Sequence, residues 1–257
     1  ATRPYSEKAW GLLVNLAAQN STGHSLHPLL QKRPVQTVGL LLITADKGLC
    51  GGYNHNMIRA AYDYIERSPV PVKLVVVGRK GRDYMARAGQ DVIAEFTDLR
   101  SQPTLADVTP ISHLLIGDFL NGTWDQVMLG YTQFINTLAQ RPVIRPLLPV
   151  QPFTVDGQAL EPSDENARGG VEYIYEPDPR TILDTVVPRF TEIQVYEALL
   201  EALASEHSAR MVAMRNATEN AEGLIQDLTL SYHQARQAAI TREMLDIASG
   251  ANALQEK

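Results

Sequence analysis

The stretch Val38-Gly39-Leu40-Leu41-Leu42-Ile43-Thr44-Ala45-Asp46-Lys47-Gly48-Leu49-Cys50-Gly51-Gly52-Tyr53-Asn54 decides the fold class. Residues 38–44 form a continuous apolar run of strand length, the pattern of a strand covered on both faces. A glycine-rich loop follows at once, and 54–67 then reads as a helix. The alternation continues downstream. Residues 72–77 (VKLVVV) form a second buried strand, 79–88 a basic helix and 92–96 a weaker third strand. A helix is expected over 105–119, with Pro110 in its first half, and 125–134 and 143–148 read as further strands. Strands alternating with helices predict an α/β fold, a doubly wound, mostly parallel sheet. No internal repeat is visible.

The loop from Asp46 to Asn54 is the sharpest local feature. Glycines between a strand and a helix are where α/β folds cradle phosphate on a helix N-terminus. The segment nevertheless matches neither GxGxxG nor GxxxxGK[ST]: Lys47 precedes the glycines, and no Ser or Thr follows it to hold magnesium. The competing reading is that the glycines let a tight turn pass close to neighbouring backbone, and it is the weightier of the two. Cys50 with nearby His55 suggests a nucleophile and a base, but a lone cysteine is more often a small buried apolar residue. His24 and His27 are the only histidines near metal-ligand spacing. They lack a third ligand and read as solvated. The cluster Arg79-Lys80-Gly81-Arg82 reads as a solvated face or a surface for an acidic partner. No catalytic residue, cofactor site or metal site is assigned.

Composition narrows the classes. The chain has 257 residues, 44% hydrophobic and 20% charged, which suits a globular protein and not a disordered one. Its formal net charge of -6 does not invite nucleic acid. No apolar run approaches the ~20 residues that span a bilayer. One cysteine excludes both an intrachain disulfide and a metal site needing two thiolates from this chain.

The ends of the chain differ from its middle. Residues 5–19 read as a helix with Leu12, Leu13 and Leu16 on an apolar face, stopping in the polar run 20–25. From Arg189 to Ser249 there is no proline and the only glycine is Gly223. That is a helix of about 60 residues, or ~90 Å, against an ordinary average of ~11 residues. Asp178-Pro179 marks its approach as N-cap and first-turn proline, Pro188 allows a bend after one short helix, and Gly250 is the expected stop. An apolar face runs through Leu199, Leu203, Val212, Leu224, Leu228, Tyr232, Ile240 and Leu245, with many alanines. The seam is not a regular leucine heptad. Such a helix requires cover that little else in the chain supplies. Residues 153–170 read as a mobile polar loop before a last strand over 171–175.

Several separated blocks carry a family resemblance. Ile43 to Asn54 (ITADKGLCGGYN) is similar to the first-strand motif of the gamma subunits of F-type ATP synthases. The block SEHSARMVAMRNAT from Ser205 to Thr218 and the block ARQAAITRE from Ala235 to Glu243 resemble that family's C-terminal signature. Tyr175-Glu176-Pro177-Asp178-Pro179 and Arg3-Pro4-Tyr5 fit as well.

The resemblance, of bacterial type, implies a central rotor shaft that catalyses no chemistry itself. Its N- and C-terminal helices would pair as an antiparallel coiled coil inside a ring of alpha and beta subunits. Its α/β domain would sit against the epsilon subunit and the membrane c-ring. It implies a division into a remnant N-terminal coiled-coil helix at 1–25, a base domain at 26–178 and a long C-terminal helix at 179–257. Most of the family's N-terminal helix is expected to be absent from this sequence. Arg236, Gln237 and Thr241 are expected to meet catch loops of the beta subunits, with Arg210 a weaker alpha/beta contact. Tyr175, Glu176 and Asp178 are expected near epsilon and the c-ring. The implied location is peripheral, at the cytoplasmic face of the bacterial membrane, in a hetero-complex and without nucleic acid. Plant-type thiol regulation needs a cysteine pair that this sequence lacks. The rival reading is a small nucleotide- or thiol-dependent α/β enzyme with a helical oligomerisation arm.

Overall fold

The computed structural model describes residues 27–150 and 179–255. The element order is β1 (Val38–Ile43), α1 (Tyr53–Arg67), β2 (Val72–Val77), α2 (Arg79–Arg87), β3 (Val92–Phe96), α3 (Leu105–Leu120), β4 (Gln126–Phe134), β5 (Gln140–Leu148) and α4 (Pro179–Gln255). The five strands form one sheet in the order β3-β2-β1-β4-β5. β1 pairs parallel with β2 (Val38 opposite Val72) and with β4 (Val38 opposite Gln126), and β2 pairs parallel with β3. β5 alone is antiparallel, folding back from β4.

The apolar run of β1 follows from its central place. All six of its residues are buried, and alternate side chains serve opposite faces. Leu40 and Leu42 join Leu74, Val76, Met57, Ile58, Ala61 and Met85 on the face covered by α1 and α2. Leu41 and Ile43 join Val75, Val77, Ile111, Leu115, Leu183, Val187 and Phe190 on the face covered by α3 and the first part of α4. Helices on both faces make the sheet doubly wound, as the sequence predicts.

Gly39 is the exception in this run for a steric reason. A Cβ there would lie 2.8 Å from the Trp124 ring. The indole, fully buried, takes that space and donates from Nε1 to the Leu115 carbonyl at 3.2 Å. Arg33 closes the same end of the sheet. Its guanidinium sits 4.4 Å above the Phe119 ring, donates to the Trp124 carbonyl at 2.8 Å and pairs with Asp125 at 3.1 Å. The α3 N-terminus is held by Asp107, whose Oδ2 accepts from the Thr104 backbone at 2.7 Å and from its hydroxyl at 2.9 Å.

Three local expectations change. β5 begins at Gln140, ahead of the expected 143, and includes Pro142 and Pro146. Proline is tolerated there because, among the described residues, β5 is the edge strand of the sheet and one side of its backbone faces no ladder. The helix does not break after Pro188 and does not stop at Gly250: α4 is continuous from Pro179 to Gln255. Buried neighbours on either side of Pro188, Val187 and Phe190, hold that turn against the sheet. A lone glycine costs an exposed helix only about 1 kcal/mol relative to alanine, which does not by itself end it. The expected helix at 5–19, the polar loop at 153–170 and the strand at 171–175 lie outside the described residues.

Candidate functional site

β1 and β4 are neighbours in the sheet, yet the helix after β1 covers one face and the helix before β4 covers the other. The C-terminal ends of such a strand pair are where open α/β sheets take ligands. The glycine-rich loop lies at this point, so it is the first place to look for chemistry.

The loop is closed upon itself. Thr44 Oγ1 donates to the Val77 carbonyl at 2.9 Å and accepts from the Gly81 backbone at 2.9 Å. Gly78, at φ 92°, allows that approach: a Cβ would fall 2.2 Å from the Thr44 carbonyl. The Asp46 carboxylate accepts from the backbones of Arg79 and Asp98, both at 3.0 Å. Asn54, in the first turn of α1, is the hub. Its Oδ1 accepts from the Ala45 backbone at 2.9 Å, and its Nδ2 donates to the Lys47 carbonyl at 3.3 Å and to Cys50 Sγ at 3.2 Å. Lys47 itself is exposed.

The crevice beside the loop is occupied by the chain's own helix. Ala209 of α4 packs against Ala45, Cys50 and Tyr53. Arg210 donates to the Gly48 carbonyl at 3.5 Å and pairs with Glu206 at 2.7 Å. On the other side, Ser205 donates to the Thr132 carbonyl at 3.0 Å and Ser208 to the Thr137 carbonyl at 2.8 Å. The glycines therefore build a tight turn that receives a helix, the steric reading of the loop. Burial pushes the Cys50 thiol up, and burial followed by the nearby Glu206 pushes the Tyr53 phenol up. A buried, protonated thiol is a poor nucleophile, and His55 is exposed while Cys50 Sγ meets Asn54 and the Lys47 carbonyl.

The other candidates resolve in the same way. His27 is not solvated. Its Nδ1 accepts from the Leu29 backbone at 3.2 Å, its Nε2 lies 3.4 Å from Asp184, and burial holds its pKa down. It caps the 3-10 turn Pro28–Leu30, a role that spacing to His24 does not reveal. His24 lies outside the described residues. Arg79 pairs with Asp46 and Asp98, and Arg82 with Asp83 and Glu95, so both arginines of the basic cluster are engaged within the chain. Among the described residues no group of three His, Cys, Asp or Glu is placed to hold a metal ion. Among them also, no helix is long and apolar enough to cross a membrane.

The residues proposed for partner contact separate into three sets. Arg210 lies at the glycine loop, half-buried and engaged with Glu206 and Gly48. Arg236, Gln237 and Thr241 lie on exposed turns of α4. Tyr175, Glu176 and Asp178 lie outside the described residues. Sequence reading did not single out Ser205 and Ser208. For Ser205 the signal was present in its spacing with Ala198, Ala202 and Ala209, small residues that share one face of a helix, whereas Ser208 lies off that face.

Comparison with known proteins covers the whole of this arrangement. A family model described as ATP synthase matches residues 1–254. An ATP synthase gamma chain from Dehalococcoides mccartyi strain CBDB1 is 49% identical over 254 residues, covering 99% of this chain and 86% of that protein. One from Roseiflexus sp. strain RS-1 is 45% identical over 260 residues, covering 100% of this chain and 86% of that protein. Among solved structures, a chain in the Euglena gracilis mitochondrial ATP synthase (OSCP/F1/c-ring, rotational state 3) shares the fold. Its TM-score is 0.65 at 20% identity, over 98% of this chain and 90% of that one. The internal docking of the motif loop on the motif helix, together with relatives near half identical across nearly the full length, leads to one conclusion: this chain belongs to the ATP synthase gamma chain family.

Proposed function

We propose that this chain is the central rotor shaft of an F-type ATP synthase and performs no bond chemistry itself. Proton-driven rotation of the c-ring turns the shaft. Its asymmetric surface then meets each beta subunit in turn and shifts that site between tight and open states through differential contacts. The domain assignment is a base domain at 26–178 docked on epsilon and the c-ring, with the coiled-coil helices at 1–25 and 179–257. The location is peripheral, on the cytoplasmic face of a bacterial membrane.

The observation that carries this reading is the surface of α4 beyond residue 210. Leu224, Ile225, Leu228, Leu230, Tyr232, Ile240, Met244, Leu245 and Ile247 are all between 45% and 69% exposed. At roughly 100° per residue these side chains point in all directions around the helix axis. A helix with exposed apolar residues on every side, interleaved with polar ones, is suited to contact by other helices or chains around it and not to one solvated face. Within it, Arg236, Gln237 and Thr241 are exposed polar groups. Arg236 offers a rigid fork of donors to a carboxylate across an interface, and Gln237 and Thr241, one helical turn apart, add a second polar contact. Arg210 is assigned to the same transmission path through the glycine loop, and Tyr175, Glu176 and Asp178 to the base.

The test is reconstitution of the full-length chain with alpha and beta subunits in an ATPase assay. The wild-type chain is expected to associate and activate hydrolysis. Losing a charge-assisted contact of about 1.5–3 kcal/mol in the Arg236→Ala, Gln237→Ala variant is expected to lower the coupled rate by roughly 10- to 100-fold. No association with alpha and beta sinks the rotor reading. An undiminished rate in the double variant sinks only the catch assignment.

A further inference from the structure

We infer that His27 is the switch of an acid-sensitive clasp at the root of α4. Its neutral imidazole ties the entry of the chain into the α/β domain to the exit of β5 and to the first turns of α4, and protonation releases that tie. The clasp goes beyond the rotor reading and does not depend on it.

Three segments meet at the 3-10 turn Pro28–Leu30. The Leu30 backbone donates to the His27 carbonyl at 2.8 Å, and the Leu29 backbone donates to His27 Nδ1 at 3.2 Å. The Leu29 carbonyl in turn accepts from the Val150 backbone at 2.8 Å, just past the end of β5. The Leu29 side chain is fully buried, in the same core as Val150, Leu183 and Val187. His27 Nε2 completes the join, 3.4 Å from the Asp184 carboxylate of α4.

An imidazole nitrogen accepts a hydrogen bond only when it carries no proton. The bond from Leu29 therefore fixes the neutral ring with its proton on Nε2, directed at Asp184. A second proton must go to Nδ1. The acceptor then becomes a donor set against the Leu29 N–H, and turning the ring over restores nothing, because both nitrogens are protonated. A buried amide left without an acceptor is the costly case for a hydrogen-bonding group.

The attraction of a charged ring to Asp184 opposes this release. That carboxylate is 60% exposed and screened, whereas the His27 side chain is 9% exposed. Among the described residues, Asp184 is the charged group that faces the ring. The core side chains of α3 and Val150 are apolar, Arg33 is turned to Asp125, and Lys32 is exposed. Burial lowers the pKa of the ring, and Asp184 offsets only part of that. The clasp is therefore whole above the ordinary histidine value of about 6.5. Its contribution is lost as pH falls from there to the lowered folded value.

The experiment measures amide exchange in the full-length chain, corrected for the intrinsic effect of pH, from pH ~7.5 down to ~5. Protection at Leu29 and Val150 is expected to fall roughly tenfold, while Leu41 in β1 stays protected throughout. An imidazole titration by NMR should show the proton on Nε2 at the upper pH and a midpoint matching the loss of protection. His27→Asn, whose Oδ1 accepts from the same N–H without titrating, should hold Leu29 and Val150 equally at both ends of the range. Unchanged protection in the wild-type chain overturns the clasp. So does a neutral ring with its proton on Nδ1, or a His27→Asn chain that loses protection in acid as the wild type does. The two wild-type measurements decide the matter even where the variant fails to fold.

Discussion

The two stretches of α4 carry similar residues and meet opposite fates. From Leu183 to Ala202 the helix buries Leu183, Val187, Phe190, Val195, Ala198 and Leu199, each at most 5% exposed. From Leu224 to Ile247 its leucines and isoleucines are around half exposed or more. Helical periodicity describes both stretches. What separates them is whether a sheet lies beneath, and a sheet is a property of the fold and not of the helix. The first stretch is thus a structural part of a domain, and the second is a surface for something outside it.

The largest test of this contrast is thermodynamic. Phe190→Ala, at a buried position, is expected to lower the stability of the chain in urea by about 3–5 kcal/mol. Leu228→Ala, exposed at 60%, is expected to change it by no more than ~0.5 kcal/mol. Comparable losses at both positions would mean that the outer stretch has found cover within the chain.

Amide exchange draws the same boundary residue by residue. Amides from Leu183 to Ala202 should exchange only on opening of the domain. Those in the last third of α4 should exchange roughly 100-fold faster or more, because an uncovered helix has only local hydrogen bonds to hold it. Uniform protection out to Ile247 would contradict this.

A thiol reagent sharpens the contrast at the docking end. Cys50 is 2% exposed, and burial raises its pKa, so it should label slowly at neutral pH until the chain is unfolded. A Leu228→Cys variant should label at the rate of a free thiol. Fast labelling of Cys50 in the folded chain would reopen the thiol-enzyme reading.

The smallest effect is a pH dependence confined to the packed region. Hydrogen bonds from the Thr104 backbone, then from Arg100, hold the Asp107 carboxyl below its ordinary value. Its contribution to stability is therefore present above the unfolded carboxylate value and is lost as pH falls through the lowered folded value. Asp107→Asn should flatten the acid limb of a stability-against-pH curve; an unchanged acid limb would show that this carboxylate does not hold the helix start.

Much of this was legible in the residues. The apolar runs of β1 and β2 follow from hydrophobic pattern, because a strand buried on both faces must be apolar throughout, while the edge strand β3 shows only alternate partly buried positions. The early start of β5 was missed because prolines argue against a strand, and only its place at the sheet edge makes them harmless. The continuity of α4 through Pro188 was missed for a related reason. Proline weakens a helix locally, while packing of Val187 and Phe190 holds the turns on either side. The glycine loop was read with two meanings open. Ala209 and Arg210, distant in sequence from Gly48 and Cys50, decide between them.

The sequence by itself determined the α/β class, the presence of a long C-terminal helix and the family, since these rest on local periodicity and on motif blocks readable in isolation. Only the tertiary structure decided that the loop receives a helix, that Cys50 is buried and that Ser205 and Ser208 donate to backbone carbonyls of β4 and of the β4–β5 loop. Those facts depend on groups that lie about 70 to 160 residues apart meeting within hydrogen-bond distance. Local propensity carries no record of such meetings; they arise when the chain closes its core.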